Sequence, residues 1–339
     1  MESRVRFWKD IYTKYTSDQG VLHDRDNFDV IYEVVEFGPI TNERAREKLV
    51  EERRKAVAAG RGVDPKKIRF QLGQKDMFYA GIYHSGRYLE EMEKIFREER
   101  LPIELTRIPF VESSFNIYAR SKVGASGVWQ FMRRTARPYL KITKEVDERN
   151  DPIKATRASA RLLRQNYQIL GSWPLAVTAY NHGANGVRRI VRELGTDNIV
   201  EIVSRYSSKT FGFASENFYA CFLAALEAER EARKYFREPR WAPVLDVVEI
   251  RLRRPMPYSL LVDFFDGDRK AAELANPHIL ARVRKGRARV PSGHFIRVPM
   301  PRKELAENLQ RGKVSQVQAA KELKRKGGTS PATSQGPVN

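Results

Sequence analysis

The stretch LPIELTRIPFVESSF, residues 101–115, decides how this chain is read. It is an apolar segment interrupted by Pro102 and Pro109, and it carries a carboxylate, Glu112, directly after Ile108-Pro109-Phe110-Val111. Most glutamates are solvated residues on helix surfaces. An apolar setting changes that, because it disfavours the charged form and raises the carboxyl pKa. An acid that keeps its proton near neutral pH can act as a general acid. Glu112 is therefore the first candidate catalytic residue.

Three further segments follow in order: Gly127-Val128-Trp129-Gln130, Ala179-Tyr180-Asn181 and Glu216-Asn217-Phe218-Tyr219. Each alone is a weak signal. Gln130 offers both a donor and an acceptor, which suits a ligand amide or hydroxyl. Trp129 and Phe131 flank it and could either stack on a ligand ring or fill a core. Ser113 and Ser114 could be ordinary helix N-terminal residues, and Tyr219 sits in an apolar helical run where core packing competes with any polar role.

Outward from these segments the pattern is mainly helical. Upstream, helices are expected over about 5–16, 27–36, 41–58, 74–83 and 87–99; in the last, Leu89, Met92 and Phe96 recur at helical spacing among charges. Downstream, Asp151-Pro152 reads as an N-cap followed by proline at the first helical position. The helix it starts carries Lys154, Arg157, Arg161 and Arg164 on one face and Ala155, Ala158, Leu162 and Leu163 on another. That basic face is either solvated or a groove wall for peptide carboxylates. A short helix ending near Gly183 and a long one capped by Ser215 complete the region.

Pro239, Trp241 and Pro243 mark a linker, and the period then changes. VVEIRLR (247–253) and HFIRVP (294–299) alternate like strands, with helical stretches between them, so a small α+β module is expected over 244–300. Residues 312–339, rich in Lys, Ser, Gly and Pro, are expected to be disordered. The expected domains are thus a helical region over 1–100 packing on a catalytic domain over 101–238, the module, and a basic tail. No internal repeat is present.

The 339 residues carry 62 Lys and Arg against 42 Asp and Glu, a formal net charge of +20, which implies a polyanionic environment without choosing among nucleic acid, anionic lipid and cell-wall polymer. The single cysteine, Cys221, excludes an intramolecular disulfide and a cysteine-rich metal site. The five histidines are scattered, so no zinc site is read, and no cofactor or metal is expected. Asp147, Glu148 and Asp151 are the nearest rival carboxylates, in a charged loop that reads as surface and cap.

Together and in this order, the four segments resemble the soluble lytic transglycosylase domain, related to goose-type lysozyme and part of the lysozyme-like superfamily. The family pattern is Glu-Ser, then Gly-Leu-Met/Trp-Gln, then Ala-Tyr-Asn, then a distal tyrosine; Val128 departs mildly from it. The stretches QLGQKDMF and LPIEL look most like the membrane-bound transglycosylase D branch. The resemblance covers residues 68–235 well and the rest to 300 more loosely. It implies a lysozyme-like helical domain, and Glu112 as a single acid–base that cleaves the glycosidic bond of peptidoglycan between N-acetylmuramic acid and N-acetylglucosamine. The product would be a 1,6-anhydromuramoyl end, formed without water. It also implies that Ser113, Gln130, Tyr180, Asn181 and Tyr219 bind substrate or orient the acid. The module resembles a degenerate LysM unit through Leu274-Ala275-Asn276-Pro277 and Val290-Pro291-Ser292-Gly293.

The alternatives are a lysozyme-type hydrolase on the same fold, a non-catalytic glycan-binding protein, and a nucleic-acid binder suggested by charge alone, for which no motif is present. The expected partner is the peptidoglycan glycan strand, not nucleic acid, and the expected state is a monomer. The expected location is the periplasm or cell envelope. An export signal or lipid anchor, which would also give peripheral membrane association, would have been removed, since MESRVRFWKD has no apolar signal core.

Overall fold

The computed structural model describes residues 1–40 and 42–326. In chain order the first half contains α1 (Glu2–Thr13), β1 (Gln19–Asp24), β2 (Ile31–Glu36), α2 (Glu43–Arg61), β3 (Ile68–Leu72), α3 (Lys75–Ser85), α4 (Leu89–Glu98), α5 (Ile108–Ser113) and α6 (Arg133–Ala136). Then come α7 (Pro152–Leu170), α8 (Trp173–His182), α9 (Ala184–Leu194), α10 (Ile199–Arg205), α11 (Phe213–Arg230) and α12 (Ala232–Tyr235). The last part holds β4 (Val247–Arg251), α13 (Tyr258–Asp263), α14 (Arg269–Ala275), α15 (Ala281–Arg284), β5 (Phe295–Pro299), α16 (Lys303–Arg311) and α17 (Gln316–Lys326). The fold is mainly α, as expected, with two small sheets, of which only β4-β5 lies where strands are expected. No described helix is long and apolar enough to cross a membrane.

The chain divides into two compact units. The first comprises residues 1–119, 128–130 and 156–243. In it, α1 turns Trp8, Ile11 and Tyr12 inward. It is tied to α11 by Lys9 Nζ to Glu227 at 2.9 Å and by an Arg4 guanidinium bond to Asn217 Oδ1 at 2.9 Å. The antiparallel sheet β2-β1-β3 packs under α2 through Leu22, Val35, Phe37, Val50, Ala58 and Ile68. Gly20 at its centre has no room for a side chain, because a Cβ would lie 2.2 Å from the Phe70 ring.

This sheet corrects the helix expected over 27–36. Val30, Ile31, Val34 and Val35 are β-branched and favour extended backbone. Asp24 also makes a tight turn, accepting from the backbone N–H of Asp26 and Asn27 at 2.9 Å each, which brings β2 back alongside β1.

The second unit comprises, among the described residues, 120–127, 131–155 and 244–326. Strands β4 and β5 pair antiparallel, Val248 opposite Val298 and Ile250 opposite Ile296. Two strands alone are marginal in water; here their inner faces are closed by Leu261 and Phe264 near α13, Val283 of α15, and Ala306 and Leu309 of α16. Asn276 clamps the end of α14 to β5, donating to the Arg297 carbonyl at 2.9 Å and accepting from its N–H at 2.7 Å.

Three expectations change here. The strand–helix–helix–strand order is present, with α15 added, but the unit does not begin at 244. Residues 131–155 fold with it through Asp147 N–H to His278 O at 2.8 Å and Leu280 N–H to Glu145 O at 2.9 Å. Nor does disorder begin at 312, because α17 buries Ala319 and Leu323 in the module core. Its start is a capping box: Ser315 Oγ accepts from Gln318 N–H at 3.2 Å, and Gln318 Oε1 accepts from Ser315 N–H at 2.8 Å. The rest of that expectation, 327–339, lies outside the described residues. Finally, Ser215 is not a cap; it lies inside the first turn of α11.

Candidate active site

Glu112 lies in the last turn of α5, a six-residue helix. Behind it is an aromatic wall: Tyr12 stacks on Phe78 at 5.0 Å, Phe78 on Phe110 at 4.8 Å, and Phe110 meets Phe115 edge-on at 4.7 Å. The chain then leaves α5 through two residues in left-handed backbone, Ser114 (φ 48) and Phe115 (φ 54). Such residues persist only where their surroundings enforce them. The enforcing contact is α3, whose Gly81 is so close that a Cβ would lie 2.9 Å from the Ser114 carbonyl oxygen.

The result is a cavity of about 410 Å³ lined by Gln74, Met77, Ala80 and His84 from the α3 side and by Val111, Glu112, Ser113, Ser114 and Asn116. Among the described residues, Glu112 is the only carboxylate that lines it. The residue keeps partial access to solvent, while the protein around the carboxyl pushes its pKa up to about 8. Burial is the cause, and no cation or donor among the described residues offsets it. The apolar run before Glu112 predicts this direction.

The partners expected from sequence are placed as follows. Ser113 Oγ donates to the Val128 carbonyl at 2.8 Å and so ties α5 to the Val128–Gln130 segment. Tyr180 lies close enough to Glu112 for the two charges to interact, and burial holds its hydroxyl proton firmly. That hydroxyl donates to the Trp129 carbonyl at 2.8 Å. A carbonyl can only accept, so this bond uses the hydroxyl's single proton. Gln130, at φ 45, donates from Nε2 to the Ala119 carbonyl at 3.1 Å. Asn181 Oδ1 accepts from Ser215 Oγ at 2.8 Å, joining α8 to α11. Tyr219 is partly buried beside the α8–α10 core, its ring 6.2 Å from that of Phe222. Gln130, Tyr180, Asn181 and Tyr219 do not line the cavity that holds Glu112.

Trp129 belongs to the core. It is fully buried, stacks on Phe96 at 6.1 Å and donates from Nε1 to Thr156 Oγ1 at 2.9 Å. Phe131 is likewise buried. The rival carboxylates are not on the surface: Asp147, Glu148 and Asp151 are 3%, 7% and 0% exposed. Each is paired, with Arg149 at 2.7 Å, Lys154 at 2.7 Å and Arg297 at 2.7 Å respectively. Asp151 also caps α7, its Oδ1 accepting from Ile153 and Lys154 N–H at 3.1 Å each. The basic face of α7 is largely neutralised, since Arg164 pairs with Glu99 at 2.7 Å and Arg157 lies 3.9 Å from Glu91.

Sequence reasoning assigned no site role to α1 or α3. Tyr12, brought from α1, is 2% exposed; burial above all raises its pKa, with smaller contributions from nearby Cys221 and Glu112. His84 is the second titratable group of the cavity. Arg87 donates to its Nδ1 at 3.3 Å, which leaves Nε2 to carry the proton of the neutral ring. The spacing 74, 77, 80/81, 84 traces one face of a helix and was the available signal.

Residues 92–203 match the transglycosylase SLT domain. Membrane-bound lytic murein transglycosylase D of Escherichia coli strain K12 is 26% identical over 228 residues, covering 66% of this chain and 49% of that protein. A putative tributyltin chloride resistance protein of Alteromonas strain M-1 is 33% identical over 109 residues, 32% of this chain and 53% of that protein. The chain therefore spans about half the length of the curated relatives it matches. Among solved structures, an inactive variant of lytic transglycosylase Slt from Pseudomonas aeruginosa aligns with TM-score 0.36 and 21% identity over 45% of this chain and 25% of that one. The 70 kDa soluble lytic transglycosylase of Escherichia coli aligns with TM-score 0.35 and 22% identity over 43% and 24%.

Proposed function

We propose that this protein is a peptidoglycan lytic transglycosylase, cleaving the β-1,4 bond between N-acetylmuramic acid and N-acetylglucosamine with Glu112 as its one acid and base. The observation that carries this reading is the isolation of Glu112: one carboxylate in its cavity, unpaired, with its pKa raised to about 8. The match of residues 92–203 to the SLT domain supports it, as does the similarity to a murein transglycosylase.

At neutral pH Glu112 holds a proton and can give it to the glycosidic oxygen as the bond to C1 of the muramic acid breaks. Glycosidases that use a second carboxylate place it across the scissile bond; no second one lines this cavity. The substrate's own N-acetyl oxygen would stabilise C1. The Glu112 carboxylate would then take the proton of the C6 hydroxyl as that oxygen closes onto C1, restoring the acid and leaving a 1,6-anhydro end. Ser113 would hold α5 in register through Val128, and Tyr180, outside the cavity lining but near the acid, would hold the Trp129 carbonyl. Gln130, Asn181 and Tyr219 would contact the sugar chain. The β4–β5 module would add glycan affinity, and the protein would act in the cell envelope.

Mass analysis of sacculus digestion products tests the reaction. Products lighter by one water than hydrolytic ones are expected. Products bearing ordinary reducing ends would overturn the transglycosylase assignment, and unchanged digestion by Glu112→Gln would overturn the assignment of Glu112.

A further inference from the structure

A second cavity, of about 420 Å³, opens in the second unit within residues 120–149. Four arginines line it, Arg120, Arg133, Arg134 and Arg149, and no carboxylate does. Arg149 is internally committed: it pairs with Asp147 at 2.7 Å and donates to the carbonyls of Gly124 at 2.8 Å and Phe131 at 3.0 Å. It therefore frames the cavity, fastening the Gly124 loop to the start of the opposite wall. Arg120, Arg133 and Arg134 are different. They are exposed, and none has a carboxylate partner among the described residues. This contrasts with α7 and α4, where arginines and glutamates are matched.

Two apolar side chains complete the wall, Val123 at 76% and Met132 at 42% exposure. Three uncompensated guanidinium groups around a concave surface repel one another and favour an oxyanion that accepts their forked N–H groups. Flanking apolar groups favour an anion attached to small alkyl side chains over a bare inorganic ion. In sequence the two walls flank residues 128–130, the Val-Trp-Gln part of the family pattern.

We infer that Arg120, Arg133 and Arg134 form a subsite for the carboxylates of short peptides, namely the peptide stems borne by the glycan substrate. The inference rests on the proposed activity and adds a determinant of substrate choice. The arginine-rich face of α7 is not that determinant, since its charges are mostly paired.

Digestion kinetics of the full chain on two substrates test it: intact peptidoglycan, and the same glycan stripped of its stems by an amidase. For an Arg120→Ala/Arg133→Ala/Arg134→Ala variant, KM on the stem-bearing substrate is expected to rise about tenfold, the loss of roughly one charge-assisted contact. The rise should be absent on stripped glycan, and kcat should be retained. The three side chains are exposed and Arg149 is left in place, so folding is preserved. No change in KM overturns the subsite, and an equal change on both substrates reassigns the arginines to the glycan backbone and also overturns it.

If the unmodified chain digests neither substrate, the catalytic reading fails while the subsite is still decided by calorimetric titration with a synthetic stem pentapeptide. Binding by the parent chain that weakens about tenfold or more in the variant supports the subsite. Equal binding by both, or binding of a glycerol-phosphate polymer but not of the peptide, overturns it.

Discussion

Glu112 and Asp151 are both carboxylates taken largely out of water, yet their pKa values move in opposite directions. Glu112 sits in the first unit with burial acting alone, and its pKa rises to about 8. Asp151 sits in the second with Arg297 bonded to both its oxygens, at 2.7 and 2.9 Å, with His278 beside it and two helix N–H groups on Oδ1. Burial pushes Asp151 up as well, but these partners outweigh it and hold the carboxyl well below the usual range. Burial by itself therefore does not define a catalytic acid. The absence of a partner leaves the proton in place, as the role proposed for Glu112 requires. The paired carboxylate is structural: it caps α7 and fastens residues 131–155 to the β4–β5 module.

Replacing each carboxylate's chemistry should break the two regions in different ways. Glu112→Gln should reduce turnover by about three orders of magnitude, the upper part of what general acid–base catalysis supplies, while leaving the far-ultraviolet dichroism unchanged. A loss of fold instead would mean that Glu112 is structural, as Asp151 is. Arg297→Ala should leave Asp151 buried without its cation, with only His278 and the two helix N–H groups beside it, and cost about 3–5 kcal/mol, readable in urea denaturation. A cost below about 1 kcal/mol would show that the cluster is solvated.

The pH dependence carries opposite signs. For Glu112 the folded pKa lies above the unfolded one, so the folded state binds the proton more tightly. Stability should fall as pH rises from about 4.5 through about 8, and Glu112→Gln should be the more stable protein at pH 9, by a few kcal/mol at most, with the difference gone by pH 5. Activity should fall through the same alkaline limb, since the ionised acid has no proton to give. For Asp151 the folded pKa lies below the unfolded one. Its contribution is present at neutral pH and is lost as pH falls below the ordinary carboxylate range.

A cation placed in the Glu112 cavity should make it resemble Asp151. Met77 lines the cavity and is 39% exposed. Met77→Lys is expected to draw the alkaline limb of kcat down by about one pH unit or more; an unmoved limb would mean that the lysine turns to solvent. The smallest effect is assigned to Ser113→Ala, which removes the bond to Val128 and should cost about 1 kcal/mol. The alkaline limb should stay near pH 8, and movement of the limb would identify Ser113 as a hidden partner of the acid.

Much of the first unit was readable from local pattern. The apolar run before Glu112 signalled an acid with a raised pKa, and the spacing of Leu89, Met92 and Phe96 marked α4, of which Met92 and Phe96 are fully buried. The Asp151 cap was visible as Asp-Pro. The capping box Ser315–Gln318 and the pair Ala319 and Leu323 were equally visible as α17 but were obscured by the lysine-rich composition around them. The helix expected over 27–36 failed because β2 is stabilised by pairing with β1, a contact that local periodicity does not encode.

What the sequence alone determined is chemical: a carboxylate in apolar company, helices by their periodicity, and a resemblance to a domain family through four short segments in order. What only the tertiary structure decided is which charges are partnered. Arg297 lies 146 positions from Asp151, and Met77 and His84 reach the cavity of Glu112 from a different helix. The energy of a buried charge depends on groups within a few ångströms of it in space, and chain separation carries no information about those distances.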